Sequence, residues 1–224
     1  RKLFASSSDG KIQAFGFNNL IYIKNQKSTN IISGQMAGIG KIKLLTVSKD
    51  GQNIAVVDEK MNDDGKTNNR ILYFKSSQNG NVVPLSINSE SIINQIQSLS
   101  FTESNQQVVA SINLQNNTSE VLIFDISQDS RSPLADKKPK SKNLISSSKV
   151  GLNSLKSTLV DEKFLILLES VYGVKVFKRD ARDLKTVLDV PYNSNQLKNL
   201  KDLEHLSYNS SKKMLSVFDS LGTS

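Results

Sequence analysis

Short runs in which apolar and polar residues alternate recur along the whole chain, separated by clusters of Gly, Asn, Asp and Ser. Alternation with a period of two places one side chain in a core and the next in solvent, so each run predicts a half-buried β-strand. The punctuation predicts tight turns. Asp9-Gly10, Asp50-Gly51, Asp64-Gly65 and Asn79-Gly80 supply residues that tolerate the positive φ such turns demand. Helical periodicity is confined to Asn195–His205, where Leu197, Leu200 and Leu203 fall on every third position and predict one or two helical turns.

The runs repeat. Leu45–Val56 aligns without gaps on Leu99–Ala110, 54 residues on, and that copy aligns on Leu206–Val217 after a further 107 residues. The second offset is about twice the first and leaves room for a further copy, which Leu155–Leu168 supplies around the polar turn Asp161-Glu162-Lys163. Each copy is a strand, a turn and a second strand. Downstream lies a third run ending in an aromatic, Ile71–Phe74, Val121–Phe124 and Val174–Phe177, whose Phe spacings are 50 and 53 residues. A more polar fourth run follows, as in Val82–Leu85 and Thr186–Val190. Four short strands per period of about fifty residues is the sequence signature of β-propeller blades. The predicted fold class is therefore all-β, a propeller of four-stranded antiparallel blades with about four to five blades in these residues.

Within that propeller the runs divide the chain into a partial blade at 1–34, blades at 40–88 and 95–126, a linker or long loop at 127–149, a blade at 150–192 and a partial blade at 195–224. The absence of an initiator Met and the plain ending Leu221-Gly222-Thr223-Ser224 suggest a segment of a longer protein.

Phe4–Phe15 resembles the second half of a WD40 blade, with Phe15 where that family often carries Trp, and Val47–Ala55 resembles its first half. The chain departs from the family in having no Trp and in a lone His205 outside any Gly-His pair. A narrower likeness runs from 16 to 126: Gly16–Ile23, Gly40-Lys41-Ile42 leading into Ser48–Gly51, then Glu59 and a variable insert before Ile71-Leu72-Tyr73. This order is similar to WD-repeat proteins of the cilia- and flagella-associated group. The resemblance implies a non-enzymatic scaffold that tethers other proteins of a large assembly, in a cytoplasmic or cytoskeletal (ciliary or axonemal) location.

Composition narrows the picture further. An apolar content of 37% is low but sufficient for a core in 224 residues. The longest apolar run, Phe164–Leu168, has five residues, against the roughly twenty a membrane-spanning helix needs; no membrane insertion is expected. Two glycan-acceptor triplets, Asn117-Thr118-Ser119 and Asn209-Ser210-Ser211, fit the abundance of Asn and Ser, and secretion is the less favoured location. With no Cys, disulfides, thiol catalysis and Cys-ligated zinc are all excluded. The net charge of +8 would suit phosphate backbones, but the positives are dispersed. Their one dense cluster, Lys137–Lys142, falls in the expected linker. Nucleic acid is thus a possible but not favoured partner, with RNA processing or ribosome assembly as the alternative setting.

Chemistry-bearing residues are few. His205 has no second His or Cys to share a metal, and no partner in sequence to orient it as a base. Asn62-Asp63-Asp64-Gly65 lacks the Glu a calcium loop requires six residues after the Gly, where Ile71 stands, and reads as part of a long hairpin loop over Lys60–Asn69. Gly34, Gly38 and Gly40 loosely imitate a nucleotide fingerprint, yet a strand follows them, and phosphate cradles need a helix N-terminus. Asp180 with Asp183, and Asp161 with Glu162, read as solvated turn charges. Phe74, Phe124 and Phe177 read as packing between blades. No catalytic residue, cofactor-binding residue or metal ligand is assigned, no cofactor is expected, and the rims at Lys60–Asn69 and Ser127–Lys149 are the expected contact surfaces.

Overall fold

The computed structural model describes residues 3–33, 38–77, 82–85, 93–114, 119–126, 141–146, 155–160, 164–169, 173–179, 184–200, 202–209 and 212–221. The alternating runs become strands, and the strands form successive antiparallel sheets in chain order. The first holds β1 (Leu3–Ser6), β2 (Gln13–Phe17), β3 (Leu20–Lys24) and β4 (Thr29–Ser33), and the second β5 (Lys41–Val47), β6 (Asn53–Met61), β7 (Thr67–Lys75) and β8 (Val83–Leu85). The third holds β9 (Ile93–Phe101), β10 (Gln107–Leu114), β11 (Ser119–Asp125) and β12 (Ser141–Ser146), and the fourth β13 (Leu155–Val160), β14 (Phe164–Glu169), β15 (Gly173–Arg179) and β16 (Leu184–Val190). A fifth sheet pairs β17 (Leu203–Asn209) with β18 (Met214–Asp219). Each strand pairs with its sequence neighbour, so hairpins alone build the four-stranded unit.

Several boundaries differ from those expected. The segment 1–34 carries a complete four-stranded sheet, and Phe4–Phe15 is its first hairpin, β1 with β2, not the second half of a blade. The turn explains why. Gly10 N–H donates to the Ser7 carbonyl at 3.0 Å, the Ser7 hydroxyl to Asp9 Oδ1 at 2.7 Å, and Ile12 N–H to Ser7 Oγ at 3.1 Å. The second sheet repeats these bonds at Ser48, Asp50, Gly51 and Asn53, with distances of 2.6 to 2.9 Å. In the third sheet Thr102, Ser104 and Asn105 hold the same places, and Asn105 takes the positive φ that Gly takes elsewhere. Successive turns are also tied sideways: Ser8 N–H donates to the Lys49 carbonyl, and Lys49 N–H to Asn105 Oδ1.

The insert Lys60–Asn69 is not a long loop. β6 and β7 stay paired out to Met61 opposite Thr67, and the tip closes through Asn62 N–H to the Lys66 carbonyl at 2.8 Å. The expected linker contributes β12, the fourth strand of the third sheet, at 141–146. Over 192–199 the Leu spacing makes turns and no regular helix: Leu197 and Lys198 N–H both donate to the Ser194 carbonyl.

A bulge recurs in the first strand of three sheets. Lys43, Lys156 and Glu204 each stand without an opposite residue, and Lys43 and Glu204 lie five positions before Ser48 and Asn209. The extra residue resets the alternation, so Leu203 and Leu206 both face the core although three apart, each 1% exposed.

The chain divides into two compact units, residues 1–90 with 99–108 and 123–142, and residues 91–98 with 109–122 and 143–224. In the first, β5 packs on β1 and β2, and Ala14, Ile21 and Ile32 share a core with Ile54, Val56, Leu72 and Phe74. In the second, β17 packs on β13 and β14, and Leu168, Val174, Leu197, Leu203 and Leu206 form the core. Phe124 and Phe177 are buried like Phe74, and Phe74 lies between two sheets as expected.

Candidate functional site

Among the described residues, those with candidate chemistry do not converge. His205 lies on β17, exposed to solvent at one side and 6.3 Å from the Phe218 ring at the other. Partial withdrawal from water pushes its imidazole below the ordinary value. Among the described residues no three His, Asp or Glu side chains group as a metal site. Asp64 caps its own hairpin tip by accepting from Lys66 N–H at 3.0 Å. Gly40 has its N–H committed to Asp58 Oδ2 at 2.6 Å, and a Cβ there would come within 2.2 Å of the Glu59 carbonyl oxygen. Close backbone contact, not phosphate binding, accounts for that glycine. Asp161, Glu162, Asp180, Asp183, Gly34, Lys137–Lys140 and most of 127–149 lie outside the described residues.

One surface was not anticipated. The register of the first sheet sets Phe4 opposite Phe15, Phe15 opposite Tyr22 and Tyr22 opposite Ile31, a continuous row across all four strands. Directly opposed side chains on one face lie in contact range, and the Phe4 and Phe15 rings meet at 4.9 Å between centroids. Beside this row Phe17 stands opposite Leu20. On the other side Ser6, Gln13, Lys24 and Thr29 form a polar row. Phe4, Phe15 and Ile31 are 57%, 40% and 58% exposed. The opposite face, bearing Ala14, Ile21, Ile23 and Ile32, is buried.

The corresponding face of the second sheet is covered. Phe15 follows Gly10 by five residues, as Val56 follows Gly51, and Val56 is fully buried because the first sheet covers that face of the second. An apolar centre flanked by polar residues has the make-up of a packing surface, either for a neighbouring sheet, as at Val56, or for a partner protein. The sequence shows that Phe15, Tyr22 and Ile31 can share faces through their alternation. It does not show which face lacks a covering layer.

No protein-family model matches the sequence, and no curated protein does. Solved structures do match. The TolB protein of Agrobacterium tumefaciens superposes with a TM-score of 0.54 at 12% identity, covering 84% of this chain and 62% of its own. A chain of the nidogen/laminin complex gives 0.51 at 13% identity, with 81% and 62% covered. The periplasmic gluconolactonase of Pseudomonas aeruginosa gives 0.50 at 12%, with 84% and 53% covered. All three are β-propeller proteins, and the chain spans less than two thirds of each. At such identities the likeness establishes the fold: an incomplete β-propeller of four-stranded antiparallel sheets.

Proposed function

We propose that the chain is a non-catalytic protein-interaction scaffold, with the aromatic face of the first sheet as a principal contact. The observation that carries this reading is the row Phe4, Phe15, Tyr22 and Ile31, in which Phe4, Phe15 and Ile31 are exposed and Tyr22 is half-buried. Leaving large aromatics in water is unfavourable by about 25 cal/mol per Å² of apolar surface, a cost that docking removes. The row offers hydrophobic contact and few reactive groups, which suits binding more than bond chemistry. The sequence similarity over 16–126 extends the proposal to a ciliary or axonemal assembly in the cytoplasm or cytoskeleton. The gluconolactonase likeness, at 12% identity, supports the shared fold and no lactone site here.

The test is a double substitution, Phe4→Ser with Phe15→Ser. Both side chains are exposed, so the melting temperature stays within a few degrees while co-purification with the native assembly falls about tenfold or more. Unchanged co-purification contradicts the proposal. Steeply salt-dependent RNA binding by the wild-type chain would move the assignment to nucleic acid.

A further inference from the structure

The last strands of the four-stranded sheets are β4, β8, β12 and β16, each paired on one side among the described residues. Three of them carry features that hinder a further strand. β8 is three residues long with Pro84, which has no amide to donate, at its centre; β12 carries Lys142; β16 carries Lys185 and Asp189 and is bulged against β15. β4, Thr29-Asn30-Ile31-Ile32-Ser33, has no charge, no Pro and an unbroken register, and the sheet it closes is complete.

The turn before β4 fixes which of its backbone groups face outward. Asn25 N–H donates to the Ser28 carbonyl at 2.9 Å. Bonded and non-bonded pairs alternate along an antiparallel ladder, so Ile23 with Asn30 and Ile21 with Ile32 are the bonded pairs, and Thr29, Ile31 and Ser33 turn their N–H and C=O groups away from β3. These outward groups are symmetric about Ile31. A second copy laid antiparallel, with Ile31 on the two-fold axis, sets Ile31 against Ile31 and Thr29 against Ser33. Every outward amide of one copy then meets a carbonyl of the other, and no like charges are opposed. The Ile31 side chain, 58% exposed, gains an apolar neighbour, and the row Phe4, Phe15, Tyr22, Ile31 continues from one copy into the next.

We propose that β4 is a self-pairing edge, through which two copies of this chain join their first sheets into one continuous antiparallel sheet centred on Ile31. The occupant of the edge is a second copy, because the strand is its own complement about its central residue. The pairing does not rest on the scaffold reading, since it uses the backbone of β4 whatever the aromatic row contacts.

The chain has no Cys, so a single Ile31→Cys variant of the 224 residues reports the geometry directly. Bonded residues that face each other lie about 5.5 Å apart between Cα atoms, within disulfide reach. Under mild oxidation this variant should form a covalent dimer about tenfold or more faster than Met61→Cys, whose position is 68% exposed on the second sheet. In sedimentation over about 1 µM to 1 mM the wild-type chain passes from monomer to dimer, more readily at high salt because each copy carries a net charge of +8. Ile31→Lys sets like charges on the axis and weakens the dimer about tenfold or more. The exposure of Ile31 lets that variant keep its fold, which an unchanged melting temperature verifies. Phe4→Ser with Phe15→Ser leaves the dimer in place, which separates edge pairing from association through the aromatic face. The proposal is overturned by a monomer at every concentration, by equal cross-linking from positions 31 and 61, by a dimer that survives Ile31→Lys, or by a dimer lost with the two Phe side chains.

Discussion

Asp58 is wholly removed from solvent, and its carboxylate is met by the Gly40 N–H at 2.6 Å and by Arg70, whose Nε and a terminal nitrogen reach separate oxygens at 3.0 and 2.5 Å. Arg70 also donates to the Gly38 carbonyl at 2.8 Å, clamping the chain between β4 and β5 onto the second sheet. Removing one member of a buried, hydrogen-bonded pair strands the other. Arg70→Ala should therefore cost about 3–5 kcal/mol in denaturant unfolding, while Asp58→Leu with Arg70→Met recovers most of the loss.

Glu120 presents the opposite case. Its Oε2 is buried with no hydrogen-bond partner among the described residues, and burial raises its carboxyl above the ordinary value. The folded state then holds this proton to higher pH than the unfolded state does. Stability falls as pH rises from the unfolded value of 4.5 through the folded one, and the penalty is complete above it. Glu120→Gln should raise the melting temperature at pH 7 and leave it nearly unchanged below pH 4, as read by paired thermal scans. Asp9 runs the other way, its carboxyl held well below the usual range by the Ser7 hydroxyl and the Lys11 amide.

At the scale of elements, the hairpin turn governs what the sheets share. Gly10 and Gly51 hold equivalent places with φ of 68° and 72°, yet nothing lies within 4 Å of a Cβ at Gly10, whereas one at Gly51 would come within 2.7 Å of Ile12. Gly10→Ala should cost about 1–2 kcal/mol for the left-handed backbone alone. Gly51→Ala should cost clearly more in the same unfolding assay, because Ile12 must move as well. The Ser-x-Asp-Gly turns, the apolar alternation and the recurring Phe are local features, and they made the hairpins at 45–56, 99–110 and 206–217 legible in the sequence. The first copy is masked by Phe15, which imitates the aromatic of a later strand, although Ser7-Ser8-Asp9-Gly10 matches Ser48–Gly51. β12 leaves little trace in the sequence because Ser141–Ser146 is mostly polar, as befits the outer strand of its sheet. The bulges leave one trace, the three-residue spacing of Ile42 and Leu45 or of Leu203 and Leu206, which alternation reads as a helix or a fault.

For the whole molecule, repetition turns exposure into information. Each sheet sets side chains on both faces, and a face is silent in function once a neighbour covers it. The first sheet buries Ala14, Ile21 and Ile32 and leaves Phe4, Phe15 and Ile31 in solvent. That asymmetry depends on which layers surround the sheet, which no local pattern encodes. The 60–69 insert, the other expected contact, is a hairpin paired out to Met61 and Thr67 and closed by a polar turn over Asn62–Lys66.

The most direct measurement is site-specific photo-cross-linking from position 15 within the native assembly, with position 66 at the exposed hairpin tip as the reference. The account predicts protein cross-links from position 15 that exceed those from position 66 and disappear when Phe4 is changed to Ser. Cross-links confined to position 66, or to RNA, would contradict it.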